Sequence, residues 1–345
     1  MKLAPRAHGL DQDYRAVQTA LENESYGVVG ERLMSIAQQR PWRQGLWESA
    51  GNYGLQAGEY TLARLAFEQA RERKGLTQAG QLALGDVYAT LGEEELAVEI
   101  WENLPDSSEA LRRLAHIYCE RGDIPNAIVA WQGLLDSALL PDETEVHLQL
   151  GLLLAVHDPL QAISHLEVAA DTDPLAQALR DALAEIPADS DLAYYHIVAG
   201  QVLASSDEWN LAEYAFRESI NKRDDYAEAW AYLGESLQHT GEDDSEEVLS
   251  ALQKALLLNP DSFSANMFTG LYWRRQGEPE DSLPYFESAA ELEPNLPEVY
   301  VELGKTLALM GELENAETSF RKAIAQAPQD PRYYRLLAQF CAQYH

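Results

Sequence analysis

Carboxylates dominate the side chains here that could do chemistry. The chain has 57 Asp and Glu against 25 Lys and Arg, a formal charge of −32. Acid–base catalysis needs two such groups held at one site with separated pKa values. Many of the acids fall instead where a second helix would begin, Glu93–Glu95, Asp123, Glu242–Asp244, Glu278, Glu280, Asp281, Glu312 and Glu314, each group just behind a glycine. If those glycines end one helix, the acids begin the next and complement its dipole. The eight histidines do not cluster at ligand spacing; His157 and His165 are eight apart across a break. His196 takes a packing position. The two cysteines, Cys119 and Cys341, form no CxxC and no metal-ligand spacing, and Cys341 is expected to be an inert thiol. No phosphate loop, nucleophile elbow or HExxH occurs. The residues therefore predict no catalytic, metal or cofactor site, and the chain is not read as an enzyme.

The charge is uneven. Residues 1–80 carry ten Lys and Arg against nine Asp and Glu, whereas residues 81–345 carry fifteen against forty-eight. Such a field opposes nucleic acid and anionic lipid. The opening MKLAPRAHGLDQDY has no apolar core of signal-peptide length. The longest apolar run, Leu148 to Val156, is too short to span a bilayer. The expected setting is cytoplasmic, without membrane insertion.

The elements that must position these groups show in the small residues. Gly51 and Gly85 are 34 apart, as are Gly200 and Gly234, and Gly270 and Gly304; Gly234 to Gly270 is 36. Ala115, Gly151 and Ala338 continue the series. Around each, apolar residues recur at helical spacing, a glycine breaks the chain, and a second apolar stripe follows. From Val299 to Ala323 the breaking residue is Gly311, and Pro328 closes the segment. Each period is thus a helix, a tight turn and a helix.

This pattern resembles the tetratricopeptide repeat family, whose unit is two antiparallel helices, A and B. The family's positions 4, 7, 8, 11, 20, 24, 27 and 32 fall on Tyr300, Leu303, Gly304, Leu307, Ala316, Phe320, Ala323 and Pro328 in the unit starting at 297. In the unit starting at 44 they fall on Trp47, Ala50, Gly51, Gly54, Ala63, Phe67, Ala70 and Gly75, where Gly54 departs from the pattern. The resemblance implies an all-α fold, a right-handed superhelical solenoid of antiparallel helix pairs. Units are placed at 10, 44, 78, 108, 144, 193, 227, 263 and 297, with a capping helix from 331. An N-terminal array covers 1–174 and a C-terminal array 193–345. Residues 175–192 are surplus to the period, either an unpaired repeat helix or a hinge. The turn at 241–247 is two residues longer than the standard one and is expected to form an acidic, exposed loop.

The resemblance also implies a concave groove lined by helix A positions 2, 5, 9, 12 and 13. These map to Leu82, Leu148, Leu152, Ile197, Met267, Leu271 and Val301 as its apolar part. Before 263 the groove charges are Asp11, Glu22, Glu48, Asp86, Glu109, Glu120, Glu145, Glu228 and Glu235 against Arg112. After it they are Arg274, Arg275, Lys305, Arg332 and Arg335 against Glu298. Beside Met267 and Leu271, those five cations make the expected partner-binding site. Its ligand would be a protein or peptide with an apolar stretch and acidic groups. The family's carboxylate clamp for chaperone tails is not matched, because Glu48 stands where Lys is needed. The expected function is an adaptor or assembly scaffold; the alternative is a non-catalytic regulatory or substrate-presenting subunit of a separate enzyme.

Overall fold

A computed structural model describes residues 5–40, 42–43, 45–73, 75–137, 143–187, 189–241 and 245–344. Among these residues there are twenty α-helices and no strand. The first compact unit, Met1–Val146, contains α1 (Pro5–Glu22), α2 (Tyr26–Gln39), α3 (Gly45–Gln56), α4 (Tyr60–Glu72), α5 (Gln78–Thr90), α6 (Glu94–Glu102), α7 (Ser108–Glu120) and α8 (Ile124–Asp136). Helix α9 (Thr144–His157) begins at the boundary. The second unit, His147–His345, goes on with α10 (Pro159–Ala169), α11 (Pro174–Ala184), α12 (Leu192–Ser205), α13 (Trp209–Lys222), α14 (Ala227–Thr240) and α15 (Ser245–Leu258). It ends with α16 (Phe263–Arg275), α17 (Pro279–Leu292), α18 (Pro297–Leu309), α19 (Leu313–Gln326) and α20 (Pro331–Tyr344).

Within each unit, consecutive helices pack against one another. Within most pairs the contact is made by a small residue on the first helix and a ring on the second; Gly151 and Gly234 meet Leu166 and Leu252 instead. A Cβ on Gly85 of α5 would lie 2.2 Å from the Trp101 indole nitrogen of α6, and one on Gly304 of α18 would lie 3.0 Å from the Phe320 ring of α19. Phe67, Trp101, Trp131, Phe216, Phe286 and Phe320 are all buried. Burial of one large aromatic is a major apolar gain of each of these six pairs, since such rings carry about 150–250 Å² each.

Turn chemistry follows the expected punctuation. Gly58, Gly92, Gly122, Gly241, Gly277 and Gly311 all adopt positive φ, where a side chain would be strained. Asp207 takes this role before α13, with φ 66°. Residues 242–244 of the long turn lie outside the described residues. Ser and Thr cap first helices: Thr77, Ser107 and Ser262 each accept from a backbone N–H of the following turn. Among second helices, Asp123 caps α8, but Glu93, Glu278 and Glu312 make no side-chain cap. Glu93 accepts from Arg64, and Glu94 and Glu95 pair with Arg121. These ties link neighbouring pairs.

Helix α11 lies between α10 and α12 within the second unit and buries Ala176, Leu179 and Leu183. Asp173 caps it, with Pro174 at its first position. The terminal helix α20 buries Tyr333 and Phe340 on a cluster that includes Val301, Leu307 and Phe320. It closes the apolar face that the α18–α19 pair would otherwise leave open.

Candidate functional site

The expected cations lie on the first helices of the last pairs, α16 and α18, and on α20. The last turn of α16 brings Arg274 and Arg275 to its C-terminus, where cations meet the negative end of the dipole. They then part. The Arg274 guanidinium pairs with the Glu302 carboxylate of α18 and lies 5.5 Å from the centre of the Phe286 ring. Arg275 reaches back to Glu235 of α14, with both Nη atoms 2.8 Å from the two carboxylate oxygens.

Lys305 joins Arg274. Its Nζ lies 2.8 Å from Glu302 Oε1, one turn along α18. Glu302 therefore faces two cations, and its side chain is 14% exposed. Arg274 is 16% exposed, but Lys305 is 44% exposed. Beside them opens a cavity of about 400 Å³, with Leu309 of α18, Phe320 of α19, and Phe340 and Tyr344 of α20 in its wall. Apolar wall and cationic rim thus share one cleft. That arrangement can take up an apolar side chain and a nearby carboxylate.

The other expected site residues lie apart from this cavity's lining. Met267 and Leu271 are half-buried against Phe286, Val299 and Leu303. Arg332 is exposed and pairs with Asp330 at 2.6 Å, holding the Asp330 carboxyl below its usual range. Arg335 is exposed and makes no ion pair among the described residues. Two residues expected in the apolar groove are core instead. Ile197 is buried, and Val301 is buried under α20 with Leu307 and Phe340.

In the first unit, the acids read as groove charges are largely engaged. Glu48 accepts from the Thr77 backbone N–H at 3.0 Å. Asp86 holds Arg113 through two contacts of 2.5 and 2.9 Å, and Glu145 meets Arg112 at 2.8 Å. Leu82, half-buried, and Glu109 line an open cleft of about 590 Å³ between α5 and α7. The side chain of Asp11 lies outside the described residues. Among the described residues, no group of three His, Cys, Asp or Glu is placed to hold a metal ion. No described helix is long and apolar enough to cross a membrane.

A profile described as tetratricopeptide repeat matches residues 49–104 and 243–297, and a second of the same description matches 274–340. Residues 49–104 and 243–340 carry tetratricopeptide repeats. Arrays of such repeats are, in general, protein-interaction scaffolds. A curated relative is the anaphase-promoting complex subunit 3 of Schizosaccharomyces pombe (strain 972 / ATCC 24843), 22% identical over 168 residues. The match covers 49% of this chain and 25% of that protein, so the chain spans a quarter of its relative's length. Among solved structures, TTC0263, a thermophilic TPR protein in Thermus thermophilus, is 23% identical with a TM-score of 0.42. It aligns over 56% of this chain and 98% of its own. The MamA protein is 18% identical with a TM-score of 0.36, over 56% and 97%.

In tetratricopeptide register, Glu302 stands at position 6 of its unit, one residue past the expected groove position at Val301. Sequence reasoning passed over it for that reason. Two signals pointed to it: Lys305 one turn ahead on the same helix, and Arg274 at position 12 of the preceding tetratricopeptide unit. The cavity residues Phe340 and Tyr344 stand at positions 10 and 14 counted from 331, outside the groove positions that marked Arg332 and Arg335 on the same helix.

Proposed function

We propose that the chain is an adaptor or assembly scaffold that holds a segment of a partner protein on the first-helix side of its second unit. The occupied place is the cavity beside Arg274 and Lys305. A segment with an apolar stretch and acidic groups suits it, the apolar part against Leu309 and Phe340 and an acid on Lys305. Met267, Leu271, Arg275, Arg332 and Arg335 extend the surface along α16 and α20. The observation that carries this reading is the cavity of about 400 Å³ with apolar walls and a half-exposed Lys305 at its rim. The net charge of −32 opposes nucleic acid as the partner. We take two arrays at 1–174 and 193–345, with an added helix between, as the organisation of this scaffold, and a cytoplasmic setting as its place.

A second reading, a non-catalytic subunit of a larger assembly, is supported by the name of the matched relative, itself a subunit of a complex. Affinity capture with identification of the bound chains separates the two. A stoichiometric partner with enzyme activity favours the second. For either, the Lys305→Glu and Leu309→Asp variants, both at exposed positions, are expected to lose the captured chain about tenfold or more. Leu257→Asp, exposed on α15, is expected to keep it. Equal capture by all variants contradicts the site.

A further inference from the structure

The Arg274 guanidinium, although in the cavity wall, is already occupied. It pairs with the Glu302 carboxylate, whose other oxygen takes the Lys305 ammonium at 2.8 Å. Two cations and one carboxylate leave the cleft with one uncompensated positive charge. Arg274 and Glu302 are both mostly buried, and Lys305 is the exposed member. An incoming carboxylate can therefore reach Lys305 while the buried pair stays intact. A second carboxylate would have to displace Glu302 from Arg274, leaving a mostly buried charge without its partner. Arg274 would stay in place without the Glu302 carboxylate, because the Phe286 ring and the Glu302 backbone carbonyl, 3.5 Å from its Nη1, also hold it.

We infer that Glu302 is a specificity-determining residue: as a built-in counter-ion on Arg274, it limits the cavity to segments that present one carboxylate beside an apolar side chain. This rests on the proposed use of the cavity as a docking site. The occupant is a partner segment with one bulky apolar residue followed by a single Asp or Glu, since that matches both the apolar wall and the single surplus charge. Selectivity then comes from an internal competitor and not from added contacts.

The test uses the full chain and three short fluorescein-labelled peptides. They differ only at the two positions after a central Phe, which carry two Ser, one Asp and one Ser, or two Asp. Binding is read by anisotropy at low salt. In the parent, the first Asp should tighten binding about tenfold, as a charge-assisted hydrogen bond does, and the second by less than twofold. In Glu302→Gln, which keeps the side-chain volume, the second Asp should add about tenfold. Glu302→Gln combined with Arg274→Ala should lose that second gain, and Lys305→Ala should lose the first. A second Asp that adds the same factor in the parent and in Glu302→Gln overturns the inference while leaving the docking site standing. Failure of the parent and of Glu302→Gln to bind any of the three peptides overturns the docking site itself, and the inference with it.

Discussion

Arg275 and Glu235 face each other across consecutive repeats, forty residues apart in sequence, through two contacts of 2.8 Å. Glu235 is only 5% exposed, while Arg275 keeps 38% of its side chain in water. Such a pair contributes little net stability when intact, but removing Arg275 leaves the buried Glu235 with only Gln238 and His239 beside it. Arg275→Ala should therefore lower the stability of the second unit by about 1–3 kcal/mol, discounted for the exposure of the arginine. Adding Glu235→Ala should recover part of the loss. Urea unfolding of the single and double variants checks this; a double variant as unstable as the sum of the singles contradicts it.

Gly85 and Trp101 set the spacing of the α5–α6 pair. Gly85→Ala places a methyl group 2.2 Å from the buried indole nitrogen, so the ring or the helix must shift. A cost of about 1–3 kcal/mol is expected. Faster amide exchange should appear in α5 and α6 first. An unchanged melting profile would show that the pair tolerates wider spacing.

Phe320 meets Phe340 at 5.3 Å between ring centres and anchors α20 on the last pair. Phe320→Ala should cost about 3–5 kcal/mol. Because a repeat contacts only its neighbours, the loss should show as faster exchange in α18 to α20, with the Met1–Val146 unit unaffected. A uniform change along the chain would contradict nearest-neighbour stability.

His196 is buried on α12, and burial pushes its pKa down to about 4, with Lys222 nearby acting in the same direction. Glu218 opposes the shift, and His157 adds to it. The unfolded chain binds this proton near pH 6.5 and the folded chain only near 4. Stability is therefore retained above about pH 6.5 and lost as the pH falls toward 4, by up to about 3 kcal/mol. His165 shifts the same way, through burial and then the neighbouring His147. In urea titrations between about pH 7 and 4.5, His196→Phe should show a shallower loss than the parent. Parallel slopes would place the acid sensitivity elsewhere.

Much of this architecture is legible in the sequence because each repeat solves the same local problem. A small residue at position 8, a ring at position 24 and a turn glycine recur at 34 residues, so one register places nearly every pair. Helices start at 78, 108, 144, 227, 263, 297 and 331, where units begin in the sequence register. The candidate site is less legible, since it depends on contacts between repeats. Val301 shares position 5 with the half-buried Met267, yet it is buried, because α20 folds over it. Arg274 and Arg275 are adjacent in sequence but turn to different carboxylates, Glu302 ahead and Glu235 behind. Helical periodicity assigns a face; it does not say which neighbour a long side chain reaches.

The most direct measurement is the hydrogen-exchange footprint of a captured partner on the full chain. Slower amide exchange should concentrate in α18 and α20 and at the C-terminal turn of α16, the elements that carry Arg274, Lys305, Leu309 and Phe340 around the cavity. Protection confined to α15, α17 and α19, or to the Met1–Val146 unit, would contradict the account.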